Sequence, residues 1–129
     1  MAHKTKVHIH DLHFEHVAWL NELEFYQNEI NIFQKRLDEL SLHNTGDEVN
    51  KGISHQQNQI IIQKDQIDQL KHEFGVYEHQ LATYAKEHPV AIDHKLFEDH
   101  KMLREKMQRF TELYQNFKEE FRRFVGIWL

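Results

Sequence analysis

The stretch LFEDHKMLREKMQRFTELYQNFKEEFRRF, residues 96–124, decides the fold. Leu96, His100, Leu103, Met107, Phe110, Tyr114, Phe117, Phe121 and Phe124 recur at alternating steps of four and three. That spacing sets one stripe along an α-helix and repeats every seven residues, as in helices that pack side by side with knobs in holes. A half-buried strand needs period two, which this stretch never keeps. The stripe continues to Trp128 and is widened by Leu113, Val125 and Ile127.

The same spacing appears twice upstream. One stripe is Ile9, Leu12, His16, Trp19, Leu23, Tyr26, Ile30, Phe33, Leu37 and Leu40; the other is Ile53, Gln56, Ile60, Gln63, Ile67, Leu70, Phe74, Tyr77, Leu81 and Tyr84. One proline and four glycines leave few places to break a helix. The first break is His43-Asn44-Thr45-Gly46-Asp47, where Thr45 and Glu48 read as a capping box. The second is His88-Pro89, because proline lacks an N–H and biases its predecessor away from helical dihedrals. Three helices are therefore expected, roughly 8–42, 47–87 and 90–127. Short connections make consecutive helices antiparallel neighbours. The expected fold is a single all-α domain over residues 1–129, an up-down-up antiparallel three-helix bundle with coiled-coil-like heptad packing. In general layout this resembles spectrin-type three-helix units.

Composition narrows the function. With 16 Lys+Arg against 21 Asp+Glu the formal net charge is −5, which argues against a nucleic-acid partner. No cysteine is present, so disulfides and thiolate chemistry are excluded. No apolar run is long enough for a transmembrane segment, and the start MAHKTKVHIHDLH has no signal-peptide core. A cytoplasmic location is the expectation.

Histidine is the compositional outlier, with 12 in the chain. Folding the three segments back on one another gathers His8, His10, His13, His16, His72, His79, His88, His94 and His100 at one end of the rod. His43 and His55 go to the other. Two of these, His16 and His100, interrupt apolar stripes. Counting back from the two turns puts them level with each other and with Phe74 or Tyr77, beside Gly75, which is expected to make room for the rings or bend the helix. Three readings follow. His16, Tyr77 and His100, with Gln63 on the same stripe as Tyr77, can form a polar core layer that fixes register. His16 and His100 can instead bind a transition metal such as Zn or Fe, with His13 and Asp99 (or Asp93 or Glu98) completing the set. Two close buried imidazoles can also respond to pH, because both cannot charge cheaply.

Familiar chemistry is otherwise missing. The Glu-x-x-His motif of carboxylate-bridged di-iron bundles, the zincin His-Glu-x-x-His, the His-x-x-x-His of hemerythrin-like oxygen carriers, a phosphate-binding glycine loop and Gly-x-Ser-x-Gly are all absent from the sequence. Ser41 and Ser54 are the only serines, so a Ser-His-Asp arrangement has little to start from. Catalysis, if any, would have to be metal-dependent. The leading expectation is a non-enzymatic bundle acting through a protein partner or as a homo-oligomer. Ile61, Ile62 and Val76, which lie off the second stripe, favour that view. The alternative is a histidine-rich metal-binding bundle with a redox or oxygen-related role. The C-terminal Phe124 and Trp128 are expected to plug the bundle end, not to form a membrane-surface tip around Arg122 and Arg123.

Overall fold

A computed structural model describes residues 9–87 and 94–128, with the backbone alone for His94. It contains α1 (Ile9–His43), α2 (Asp47–Glu87) and α3 (His94–Trp128), of 35, 41 and 35 residues. There is no strand among the described residues. At a rise of ~1.5 Å per residue the helices are about 50–60 Å long. The predicted His88-Pro89 break, Asp93, His3 and His8 lie outside the described residues.

Cross-helix contacts fix the directions. Gln34 pairs with Gln57 and Glu24 with Lys71, so α1 and α2 run antiparallel. His55 meets Glu120 while Glu73 meets Lys106, so α2 and α3 are antiparallel too. Glu15 meets Arg104 and Glu29 meets Tyr114 and Lys118, so α1 and α3 run parallel. This is the up-down-up three-helix bundle read from the heptads.

The core is the predicted seam. Leu23, Ile30, Ile60, Ile67, Phe74 and Tyr114 are fully excluded from solvent. Phe33, Ile53, Tyr84, Phe124 and Trp128 sit half-buried against them, so the C-terminal aromatics do cover the bundle end. Large rings fill the three-way seam in sequence. Tyr26 stacks on Tyr114 at 4.3 Å between centroids, and Phe33 stacks on Phe121 at 4.7 Å. Tyr114 donates its hydroxyl to Glu29 at 2.7 Å, and Glu29 also pairs with Lys118 at 2.7 Å. This charge-assisted cluster ties α1 to α3 midway along the rod. Burial and the Glu29 carboxylate push the Tyr114 hydroxyl pKa up, and burial and Glu22 push Tyr26 to about 12.

Two local expectations are corrected. The capping box does not form. α2 starts at Asp47 and its first backbone bond runs from Asn50 N–H to the Gly46 carbonyl, so Gly46 is the N-cap and Glu48 sits one place too early to reach back. Gly75 makes no room for the imidazoles, because its position is exposed and a Cβ there would meet nothing within 4 Å. The glycine that a close approach requires is Gly52, where a Cβ would lie 2.2 Å from Cε1 of the Phe124 ring.

These two glycines should therefore respond in opposite ways. Gly75→Ala should stabilise the protein by about 1 kcal/mol, the usual helix-interior difference. Gly52→Ala should destabilise it, since Phe124 must leave its seat against α2. Urea unfolding monitored by circular dichroism measures both. Equal responses at the two positions would contradict this packing.

Candidate functional site

The histidine layer forms where the start of α1, the end of α2 and the start of α3 come together. His16 and His100 are both 0% exposed. Their ring centroids are 5.3 Å apart. His16 is stacked on Tyr77 at 4.8 Å, edges onto Phe74 at 5.4 Å and touches Trp19 at 4.9 Å. Trp19 in turn stacks on His100 at 5.0 Å. Each helix thus contributes its seam residue at one level, and all of them are rings.

The two imidazoles do not bond each other. His100 Nε2 lies 2.5 Å from Glu15 Oε1, while its Nδ1 is buried with no partner. Arg104 holds the same carboxylate through both Nε (3.0 Å) and Nη2 (2.8 Å). His16 has no hydrogen-bond partner at either ring nitrogen. Its Nδ1 faces Glu78 Oε2 at 3.6 Å, a buried oxygen that is itself unpartnered. The other oxygen of Glu78 is in close contact with His13 Nδ1, at the exposed rim. Tyr77 lends its ring to the layer but donates its hydroxyl to the Leu96 carbonyl at 2.7 Å.

Charge at the layer follows from these contacts. Arg104 beside Glu15 holds that carboxyl below its usual range, with burial opposing and His100 assisting. Burial pulls His100 below the usual imidazole value, against the pull of Glu15. His16 is lowered to about 4, first by burial and then by the charge His100 would carry. Burial thus disfavours a charge on either ring.

The other sequence candidates are dispersed. Gln63 is 14 residues before Tyr77 on α2, about 21 Å along the helix axis. It lies two helical turns from Gln56, a second buried glutamine whose Nε2 donates to Glu120 at 3.4 Å; the side-chain oxygens of both glutamines are unpartnered. Neither bonds Tyr114, whose hydroxyl goes to Glu29. Asp99 pairs with Lys95 at 3.2 Å. His13 comes to the rim of the layer, whereas His72 and His79 are exposed on the outer face of α2. Among the described residues, no group of three or more His, Asp or Glu side chains is placed to hold a metal ion. A hollow of about 540 Å³ between Leu37, Ser41, Ser54 and Ile61 lies at the other end of the rod.

Trp19 of the first stripe completes the rings of the layer, and Glu15, Glu78 and Arg104, which the sequence did not single out, complete its charges. Glu15 precedes His16 and Glu78 follows Tyr77, so both flank seam positions. Asp11, Glu22, Glu29 and Glu73 flank seam positions too, so that placement alone does not pick the two out. No family model matches the chain, and no curated protein or solved structure is significantly similar to it.

Two substitutions should separate the rings. His16→Leu removes two unpartnered buried nitrogens and should raise stability by about 1–2 kcal/mol at pH 7.5. Arg104→Ala leaves Glu15 with His100 alone and should lower it. Thermal melts of the two variants beside the parent chain provide the comparison. A stability loss in His16→Leu would mean that the ring has a partner the layer geometry does not include.

Proposed function

We propose that the protein is a helical interaction module that pairs with a second copy of itself through the outer face of α1. The observation that carries this reading is an uncharged apolar line opposite the core. Phe14 is 71% exposed, Phe25 58% and Ile32 60%. Exposed Ala18 lies between them, and the intervening outward positions are Asn21 and Asn28. The outermost line of a bundle helix is ordinarily its most charged, because solvent covers it. A phenylalanine at such a place gains little from the fold of its own chain, here one edge contact from Phe25 to Tyr26, and a good deal from being covered.

Self-pairing suits the line better than an oppositely charged partner, since residues 14–32 present no charge along it. A twofold axis near Leu23 sets two α1 helices antiparallel, with Phe14 over Ile32 and Ala18 over Asn28. The same axis brings Asp11 over Lys35 at both ends, so unlike charges close the contact. Glu24, on the flank, is already tied to Lys71 at 2.8 Å. No helix among the described residues is long and apolar enough to cross a membrane, so a bilayer-spanning role does not compete for this face.

Light scattering coupled to size exclusion tests the reading. The parent chain should run at twice its 15.8 kDa mass at micromolar concentration. Phe25→Glu should return it to a monomer without lowering helicity, because the side chain meets the seam only at the edge of the Tyr26 ring, 6.0 Å between centroids. Asp11→Lys and Lys35→Asp should each weaken the dimer, and the two together should restore it. A monomeric parent chain at 100 μM would overturn the proposal.

A further inference from the structure

We propose that the His16–His100 layer is a proton-operated latch, which opens one end of the bundle in mild acid while the rest of the rod stays closed. The groups facing the rings come from all three helices: His13 and Glu15 on α1, Glu78 on α2 and Arg104 on α3. With the imidazoles neutral, Glu15, Glu78 and Arg104 together carry one net negative charge. One proton balances it. His13 stands at the rim, exposed to water and in contact with Glu78.

A further proton has no place to go. Each buried ring has room for a single N–H. His100 can donate from Nε2 to Glu15, but a second N–H at Nδ1 would be buried without an acceptor. His16 can turn Nδ1–H toward Glu78 Oε2, but a second N–H at Nε2 would be equally stranded. Protonating both rings would also set two cations side by side, with their centroids 5.3 Å apart. Opening the end relieves every one of these costs, because water accepts both N–H groups. The direction of the pH effect follows. Each ring binds its proton more readily when open than when closed, so the closed state is fully favoured above the ordinary imidazole pKa and loses ground as pH falls below it.

The effect is confined to one end. The seam beyond Trp19 on α1 runs through Leu23, Tyr26, Ile30, Leu37 and Leu40, none of which titrates in mild acid. His43 and His55, at the other end, are exposed and stand outside the seam. Acid therefore acts where three helix segments meet and nowhere else along the core.

Amide hydrogen exchange of the full chain at pH 7.5, 6.5 and 5.5, corrected for the intrinsic exchange rate, tests the latch. Between pH 6.5 and 5.5 the opening constants of residues 12–23, 70–81 and 96–107 should rise roughly fivefold if one ring titrates and thirtyfold if both do. Residues 30–40 and 114–125 should not change. In the His16→Leu/His100→Leu variant the rise should vanish. A uniform rise along the rod, no rise, or the same rise in the double variant would each overturn the proposal. If that variant does not fold, imidazole proton resonances of the parent chain decide instead. Rings that titrate near pH 6.5 with amide protection intact would refute the latch; rings that titrate only as protection is lost would support it.

Discussion

Everything in this bundle depends on one narrow seam, to which each helix contributes one side chain per level. Three α-helices in a row leave no second layer behind which a misfit can hide. A seam residue is either packed against its two counterparts or it is a fault in the rod. The protein meets this demand mainly with rings. Tyr26 on Tyr114 and Phe33 on Phe121 fill the middle and far levels, and flat aromatic faces gain contact area with little side-chain entropy to lose. Gly52 shows how tight the arrangement is, since the Phe124 ring lies where that residue's side chain would begin.

The same constraint explains why the histidine layer has its particular electrostatics. An imidazole in the seam is surrounded by rings, and most backbone groups of the neighbouring helices are already bonded within their own helix. Its partners must be long side chains at flanking positions, reaching in from the rim. Glu15 and Glu78 do this from α1 and α2, and Arg104 from α3 keeps Glu15 ionised. The result is asymmetric. His100 is bonded on one side, and His16 has an acceptor just beyond bonding distance. Such a layer adds little net stability compared with apolar residues of similar size. What it adds is a preferred register, since sliding one helix by a turn would leave His100 and Glu15 buried or bare without each other.

The seam itself was legible in the sequence, for a geometric reason. Side chains three and four apart share a helix face, so the stripes named every buried ring, and two short turns fixed which levels met. The approach of His16 to His100 and Tyr77 follows from that counting alone. What could not be read was the rim. The chain carries 21 acidic residues, and the choice of Glu15 and Glu78 over the others depends on rotamers and helix rotation that no spacing rule encodes. Gly75 was misjudged for a related reason. It lies next to Phe74 in sequence, but one residue along a helix is a turn of about 100° away from the seam. The outer line of Phe14, Phe25 and Ile32 was present in the heptads as well, but the stronger signal of the core stripe obscured it.

The two unusual features of α1 are not independent. Phe14 stands between His13 and Glu15, so the apolar line and the histidine layer are opposite faces of the same helical turns. A second copy clamped along α1 would hold residues 14–32 in one straight helix and so favour the closed end. Protons entering the layer would favour the open one. Linkage then requires the two to oppose each other: by as much free energy as dimerisation disfavours proton uptake by the rings, proton uptake disfavours the dimer. The magnitude depends on how many rings charge and on whether Phe14 stays seated when the end parts. The sign does not, because both effects act through the packing of one stretch of α1 against its neighbours.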